Sequence, residues 1–423
     1  MIRFYNGRIM TMQNGVELTD GEIWVDGDKI SYIGPYNPPM PLFEREINLR
    51  GNVIMPGFKN AHTHSAMTFL RSAADDLPLQ DWLEKQVFPR EAKLNVEAVY
   101  AFTKLAILEY LSSGITACFD MYFHNDGFVR AMTECGFRAV MCDSMNNFDS
   151  DYTNVERNFL HYNDVHPLIS YRLGFHAEYT TCMERMEYVA SLAEKYKAPV
   201  YTHLAETKNE VEGCISRYGK TPAALLDSLG MFNYGGGGYH CVHMTEEDLD
   251  IFARRGVYAI TNPASNAKLA SGVAPLCRMQ EKGVLLAIGT DGPASNNALD
   301  MFREMYLCAV LQKLQNDDAA AFPAASALEM ATVGGARAMG LCDCDVLAVG
   351  KQADMVVIDL NRPNMQPIHN IPKNIVYSGS KENVKMTVVA GKILYEDGVF
   401  HVGESAKDIY ARAQKLTDQI MNS

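Results

Sequence analysis

No CxxC pair occurs in the 423 residues, and the ten cysteines are scattered. The closest two, Cys342 and Cys344, stand too near each other for an ordinary bridge and have no second pair with which to build a zinc site. A disulfide framework is therefore not expected. No run of about 18 uninterrupted apolar residues is present, and the opening MIRFYNGRIMTM carries no apolar signal core. A chain free of the membrane, in a reducing cytoplasm, is the expectation. Cations are in deficit: 38 Lys+Arg face 51 Asp+Glu, a net charge of −13. Nucleic acids and anionic membranes both call for clustered Lys/Arg, so neither is an expected partner. The glycine-rich turn that links a strand to a helix in dinucleotide-binding folds is also missing, since Gly235 to Gly238 leads into a strand instead. What remains, 48% hydrophobic and 21% charged residues, is an ordinary globular balance.

Both ends of the chain read as short strands and tight turns. MIRFY, GEIWVDG and KISYIG alternate in polarity around the turn signals Asn6-Gly7, Asn14-Gly15 and Asp26-Gly27. ADMVVIDL, MTVVAGKIL and YEDG repeat that texture near the other end, before an amphipathic stretch from Ala406 to Met421. Neither end suffices for a sheet structure of its own, so they are expected to pair with each other. The middle repeats strand, loop and helix. Its strands read NVIMPGF, ITACFDMY, FRAVMCDS, ISYRLGFH, PVYTHLA, GYHCVHM, GVYAIT and VLLAIGTD. Met186, Val189, Leu192, Ala193 and Tyr196 form one helical stripe, and Thr245 with Asp248 resembles a capping box ahead of Gly256. Eight such units predict an α/β fold: a (β/α)8 TIM barrel over residues 56–341. A small β-sandwich domain is expected from residues 1–55 and 342–423, with a helix at its C-terminal end. About 38 residues, Ser65 to Phe102, separate the first strand from a secure helix, a length that usually serves function.

The chemistry concentrates at the predicted strand ends. His62-Thr63-His64 follows Pro56-Gly57-Phe58, and two imidazoles at i, i+2 project to one side of a strand. Strand five ends in His203-Leu204-Ala205-Glu206, strand six in His240-Cys241-Val242-His243, and strand eight in Gly289-Thr290-Asp291-Gly292. A buried His or Asp there needs a partner. Placements on several strands of one barrel, at the face where barrel active sites form, point to a metal site.

PGFKNAHTH, THLAET, HCVH, NPASN and GTDGPASNN together resemble the metal-dependent amidohydrolase superfamily. Within it the chain is similar to the 5′-methylthioadenosine/S-adenosylhomocysteine deaminases, and ADDLPLQDWL, DMYFH, SNAKLASG and QADMVVIDL fit the same group. The resemblance implies one divalent metal per subunit on His62, His64, His203 and Asp291. Zinc is the first choice, and ferrous iron accepts the same donors. It implies that Asp291 takes a proton from an attacking water, that His240 holds and polarises that water, and that Glu206 shuttles a proton to the ring and to departing ammonia. It further implies that Trp82 and Glu91 receive the nucleoside and its ribose hydroxyls, with His176, Glu206 and Ser295 also against the substrate. His243 reads as structural, and Asn266 and Lys268 as shaping a loop. His176 stands at the end of strand four where a lysine would bridge a second metal, which favours a mononuclear site.

One departure matters. Relatives that accept S-adenosylhomocysteine place arginines after strand three to grip its carboxylate. The matching positions here are Asp143 and Asn154, with Arg157 nearby as a partial substitute. An adenine nucleoside with an uncharged 5′ group is the substrate this implies: adenosine, 5′-deoxyadenosine or 5′-methylthioadenosine. The rival readings are deamination or dechlorination of another nitrogen heterocycle (guanine, a pterin or a triazine) and a non-catalytic scaffold. A homo-oligomer is the expected assembly.

Overall fold

The computed structural model describes residues 1–422 apart from Pro39, Ala74 and Pro78, and the side chains of Leu79 and Gln80. Two positions of the ADDLPLQDWL motif, Ala74 and Pro78, thus lie outside the described residues. Five strands come first: β1 (Ile2–Met12), β2 (Gly15–Asp26), β3 (Lys29–Gly34), β4 (Arg45–Asn48) and β5 (Val53–Pro56). Eight follow through the middle: β6 (Phe58–Thr63), β7 (Ile115–Met121), β8 (Arg138–Cys142), β9 (Ile169–Ala177), β10 (Val200–Leu204), β11 (Gly236–His240), β12 (Val257–Thr261) and β13 (Leu285–Ile288). The last four are β14 (Met355–Ile358), β15 (Val384–Val389), β16 (Lys392–Glu396) and β17 (Val399–Phe400).

The two ends of the chain share one mixed sheet in the order β17-β16-β15-β14-β5-β1-β2-β3, with β4 also on β1. The seam is antiparallel pairing of β5 with β14, where Ile54 faces Val357. Side chains alternate across that seam. Ile54, Met355 and Val357 join Phe4, Ile9 and Ile23 in a core enclosed by the sheet itself. Val53, Met55, Val356 and Ile358 point the other way, into the main core. Every residue of β5 is buried because it packs on both faces. This alters the reading of NVIMPGF as one barrel strand. Residues 53–56 belong to the mixed sheet, and the barrel begins at Phe58 after a crossover at Gly57. A Cβ on Gly57 would lie 2.1 Å from the Thr116 side chain, so only glycine lets the chain pass there.

β6 to β13 form an eight-stranded, all-parallel sheet in sequence order, and the sheet curls until its first and last strands meet. That meeting is made by side chain and irregular backbone. Asn60 accepts from Thr290 N (2.9 Å) and donates to Thr290 Oγ1 (2.7 Å), while Asp291 N donates to the His62 carbonyl (3.0 Å). Inward-facing Phe119, Tyr201 and Tyr239 fill the barrel. The helices lie outside it, including Met183–Tyr196, which buries Met186, Val189, Leu192 and Ala193. The capping box at Thr245 and Asp248 is present, and Gly256 ends that helix at φ 65°. The stretch after β6 is a chain of short helical turns, and the secure helix starts at Val96, earlier than expected, because the Asn95 side chain caps it by accepting from Ala98 N. The C-terminal helix runs Ala406–Asn422.

The mixed sheet is bolted to the end of the barrel opposite the strand carboxyl ends. Arg138, first residue of β8, donates from Nε to Asp354 Oδ2 (2.7 Å) and from Nη2 to Asp354 Oδ1 (3.0 Å). Asp354 immediately precedes β14, and Lys59 Nζ lies 3.9 Å from the same carboxylate, fully buried.

Candidate metal and active site

At the carboxyl ends of the barrel strands the backbone leaves its regular path. Ala205 (φ 51°), His240 (φ 71°), Cys241 (φ 51°) and Asp291 (φ 61°) all occupy the left-handed region. None is glycine, and such conformations cost of order 1–3 kcal/mol each, persisting where the surroundings hold them. Their effect is geometric. Tyr239 already points into the barrel, and strand alternation would turn His240 away; the left-handed turn brings it back over the site.

His62, His203, His240 and Asp291 offer donor atoms that all lie within 4.8 Å of one another. His64 completes the group, with Nε2 3.2 Å from Asp291 Oδ1 and 3.4 Å from His203 Nε2. His62 Nε2 is 3.5 Å from Asp291 Oδ1, and its ring stacks on Tyr239 at 3.7 Å. The outer nitrogens are tied down. His64 Nδ1 contacts the Met121 carbonyl (2.6 Å) and His203 Nδ1 the His176 carbonyl (2.6 Å). A carbonyl only accepts, so each Nδ1 carries a proton and each Nε2 is turned inward as the nitrogen available to a metal, the support that metal-ligating histidines have. Asp291 Oδ2 accepts from Ser265 Oγ (2.6 Å) and Ser295 Oγ (2.7 Å), which leaves Oδ1 facing the imidazoles.

The donor set fits a divalent cation. Both ring nitrogens of His62 are buried without a hydrogen-bond partner among the described residues, an expensive state for polar atoms. Burial holds His62 down at about 3 and His203 well below the usual imidazole range. Burial also pulls His64 down, but the Asp291 carboxylate outweighs it and lifts His64 to about 9. Burial would raise Asp291, yet His62 and His64 hold it well below the ordinary carboxylate range. Neutral imidazoles beside an ionised carboxylate are the ligand forms a metal requires, and its binding displaces the remaining proton.

A cavity of about 630 Å³ opens above this cluster. Trp82, Glu91, His176 and Glu206 line it, as do His64, His203, His240 and Asp291. Glu206 Oε2 lies 3.8 Å from His240 Nε2, and Glu206 Oε1 accepts from Ser271 Oγ (3.2 Å). Burial raises the Glu206 carboxyl above its ordinary value, with Asp291 adding to the rise and His240 opposing it. Burial likewise pushes Glu91 up to about 7 against the Tyr122 hydroxyl, which donates to its Oε1. His176 is held down at about 4 by burial, and its Nδ1 meets Thr180 Oγ1 at 2.9 Å. Ser295 is different. It is 1% exposed, turns its hydroxyl to Asp291, and is not among the residues lining the cavity. His243 contacts the Ser271 carbonyl through Nε2 (2.7 Å), away from the cluster.

An annex of about 170 Å³ adjoins the cavity, sharing Tyr122, Phe123, His124, Ser144 and Asp149 with it. Asp143 and Asn154 both line the annex, beside Asp149 and Asp151, and no lysine or arginine does so among the described residues. Asp143 accepts from Asn158 Nδ2 and Tyr171 OH, both at 2.9 Å. Arg157 faces Asp151 at 3.8 Å with 72% of its side chain exposed. Sequence reasoning missed Ser265, Ser271 and Tyr122. Each is a common hydroxyl residue, Ser265 in the short helix Pro263–Lys268 and the others just past regular elements, and the sequence carries no signal for its partner. Asn266 was read as a loop former, and its Oδ1 meets His240 Nδ1 at 2.7 Å.

Comparison with known proteins agrees with this geometry. The amidohydrolase family model matches residues 53–394. A 5-methylthioadenosine/S-adenosylhomocysteine deaminase from Thermoanaerobacter pseudethanolicus is 38% identical over 416 residues, covering 96% of each chain. Another from Moorella thermoacetica is 40% identical over 410 residues, covering 95% of this chain and 96% of that one. A solved adenosine deaminase from Xanthomonas campestris with bound zinc superposes with a TM-score of 0.95 at 34% identity, covering 100% of this chain and 99% of that one. An atrazine chlorohydrolase from Arthrobacter aurescens, 23% identical over 99% of this chain and 100% of its own, shares the fold with a TM-score of 0.90. No helix among the described residues is long and apolar enough to cross a membrane. The barrel, its buried histidine and aspartate cluster and these matches lead to one conclusion: the chain belongs to the metal-dependent amidohydrolase family.

Proposed function

We propose that this protein is a hydrolytic deaminase of adenine nucleosides with an uncharged 5′ group, releasing ammonia and the inosine analogue. The observation that carries the reading is the stacking of two layers. His62, His64, His203 and Asp291 converge under a cavity of about 630 Å³, and Glu206 and His240 stand beside them at its floor. The first four residues would hold one divalent metal, zinc by preference. His240, whose Nε2 faces Glu206 Oε2 at 3.8 Å, is left for the reaction. The metal, when bound, supplies charge that brings the pKa of a water to about 7.

The protein's own groups then divide the proton work. His240 orients the attacking water. Asp291, anchored through Oδ2, offers Oδ1 to take a proton as the C–O bond forms at the amino-bearing carbon. Glu206 is raised by burial, which suits it to give a proton to the adjacent ring nitrogen. The C–N bond breaks as the amino group receives the proton taken from water and leaves as ammonia, and the proton left on the new hydroxyl passes back to Glu206 as the carbonyl forms. Glu91 would accept the ribose hydroxyls while Trp82 packs on an apolar face, with His176 close by. The annex offers an acidic surface to the far end of the substrate, which opposes a carboxylate tail. The barrel from Phe58 to about residue 341 forms the catalytic unit in this proposal and the mixed sheet from both ends of the chain its companion domain, in a cytoplasmic homo-oligomer.

The test is metal content together with ammonia release from adenosine, 5′-deoxyadenosine, 5′-methylthioadenosine, S-adenosylhomocysteine and guanine. Turnover of S-adenosylhomocysteine well above the first three refutes the annex argument; release from guanine alone refutes the nucleoside reading. Glu206→Gln should keep its metal and lose activity by about 10²–10⁴-fold, the range for a general acid or base.

A further inference from the structure

One segment reaches all three groups to which the proposed reaction assigns proton work. It leaves β12 and runs from Asn262 through the short helix Pro263–Lys268 to Gly272. Ser265 Oγ donates to Asp291 Oδ2 (2.6 Å), Asn266 Oδ1 meets His240 Nδ1 (2.7 Å), and Ser271 Oγ donates to Glu206 Oε1 (3.2 Å). Those partners come from three other places: the end of β13, the end of β11 and the turn after β10. We infer that residues 262–272 are a positioning segment that sets the orientation of Asp291, His240 and Glu206 together, with Asn266 deciding the tautomer of His240. The inference rests on the deaminase reading for what the three groups do, and on the structure alone for how they are held.

The chemistry at His240 is specific. A neutral imidazole has one donor nitrogen and one acceptor. The Asn266 amide oxygen only accepts, so in the neutral ring the proton sits on Nδ1, and Nε2 is turned toward Glu206 and the cluster. The Asn266 amide nitrogen is buried and finds no hydrogen-bond partner among protein groups. Asn266 also borders a void of about 10 Å³, room for about one water. A reversed amide would set N–H against Nδ1 and force the opposite tautomer.

The segment is itself braced. Ala264 N donates to Glu304 Oε2 (3.0 Å), the His243 ring contacts the Ser271 carbonyl (2.7 Å), and Lys268 Nζ pairs with Asp75 and Asn297. Ser265, Asn266 and Ser271 are 0%, 1% and 7% exposed. None of the three appears among the residues lining the cavity, so they act through others and are positioning residues.

Asn266→Ala, Asn266→Asp, Ser271→Ala and Ser271→Thr test this on the intact, metal-loaded enzyme. Asn266→Ala and Ser271→Ala should each lower kcat for 5′-methylthioadenosine by tenfold or more and leave KM within threefold. Asn266→Asp and Ser271→Thr keep the contacting oxygen and should recover most of that loss. Combining the two alanine changes should cost less than the product of the single effects, as expected of groups held as one unit. Nitrogen-15 NMR of histidine-labelled protein reads the His240 tautomer directly, without turnover. It should report a hydrogen-bonded Nδ1–H in the wild type that is lost in Asn266→Ala. An unchanged kcat, a loss that follows metal content or melting temperature without rescue, or a proton on Nε2 of neutral His240 overturns the inference. Absence of ammonia release from every nucleoside with the wild type fails the deaminase reading instead, and the NMR result still decides the positioning by Asn266.

Discussion

Removing the carboxylate of Asp354 strikes the joint between the mixed sheet and the barrel. Both Arg138 and Asp354 are buried, 5% and 0% exposed as side chains, and their contact is bidentate at 2.7 and 3.0 Å. Lys59 stands 3.9 Å away with no exposure, and Ala390 N donates to the same carboxylate (2.7 Å). Asp354→Ala therefore removes the counter-charge of one buried guanidinium, which keeps Gln352, and of one buried ammonium, which keeps the Gly57 carbonyl and Thr116, and it leaves one backbone N–H without its acceptor. Breaking a buried pair costs about 3–5 kcal/mol, most of it the uncompensated charge, and the second cation argues for the upper end. At an unfolding entropy of about 2.1 cal/mol/K per residue over 423 residues, that is a fall in melting temperature of about 3–6 °C. Urea unfolding and calorimetry at pH 7 measure it. The double variant Arg138→Met with Asp354→Leu should recover more than half the loss, since the stranded guanidinium is gone. The pH dependence has a definite sign. Burial raises Asp354, but Arg138 and Lys59 hold it below the ordinary value. A depressed carboxylate contributes stability that is full above its unfolded pKa, about 4, and is lost as pH falls through the folded one. The gap between wild type and Asp354→Ala should thus close below about pH 4. A loss under about 1 kcal/mol at pH 7 refutes the reasoning that this buried pair joins the two sheets.

Two further predictions concern the site. A Cβ on Gly289 would lie 2.5 Å from Asn262 Oδ1 and 2.7 Å from the His62 backbone nitrogen. Gly289→Ala should displace His62 and lower metal content by at least half while far-UV circular dichroism stays unchanged; a fully metallated variant contradicts it. Glu91, raised to about 7 by burial, accepts hydroxyls best when ionised. KM for adenosine should rise as pH falls below 7, whereas that for 2′,3′-dideoxyadenosine should not. Tyr122→Phe removes a hydrogen bond that favours the charged form, so the rise should begin at higher pH. A flat KM between pH 6 and 8, or the same rise for both substrates, counts against Glu91 as the ribose acceptor.

Much of the architecture was legible because its signals are local. Polarity alternation marked β1, β2 and β3, the apolar runs marked the barrel strands, and Thr245, Asp248 and Gly256 bounded a helix through backbone capping alone. The candidate site was visible as residue types at strand ends. NVIMPGF was misread in part because β5 and β6 are consecutive, fully buried strands divided only by Gly57. Periodicity cannot say which sheet a buried strand joins; that depends on β14, some 300 residues away. Ser295 was placed against the substrate, and only the convergence of the loops after β12 and β13 shows its hydroxyl on Asp291.

The sequence by itself determined which segments form strands and helices, which turn, and which strand ends carry imidazole and carboxylate. These follow from side-chain period and backbone preference within a few residues. Tertiary structure decided who touches whom at the mouth of the barrel: Ser265 on Asp291, Asn266 on His240, Ser271 on Glu206, Tyr122 on Glu91. The physical reason is that a hydrogen bond has a reach of about 3 Å and no memory of sequence distance. The left-handed turn at His240 belongs with these, because a non-glycine residue holds that conformation only where its neighbours in space compel it.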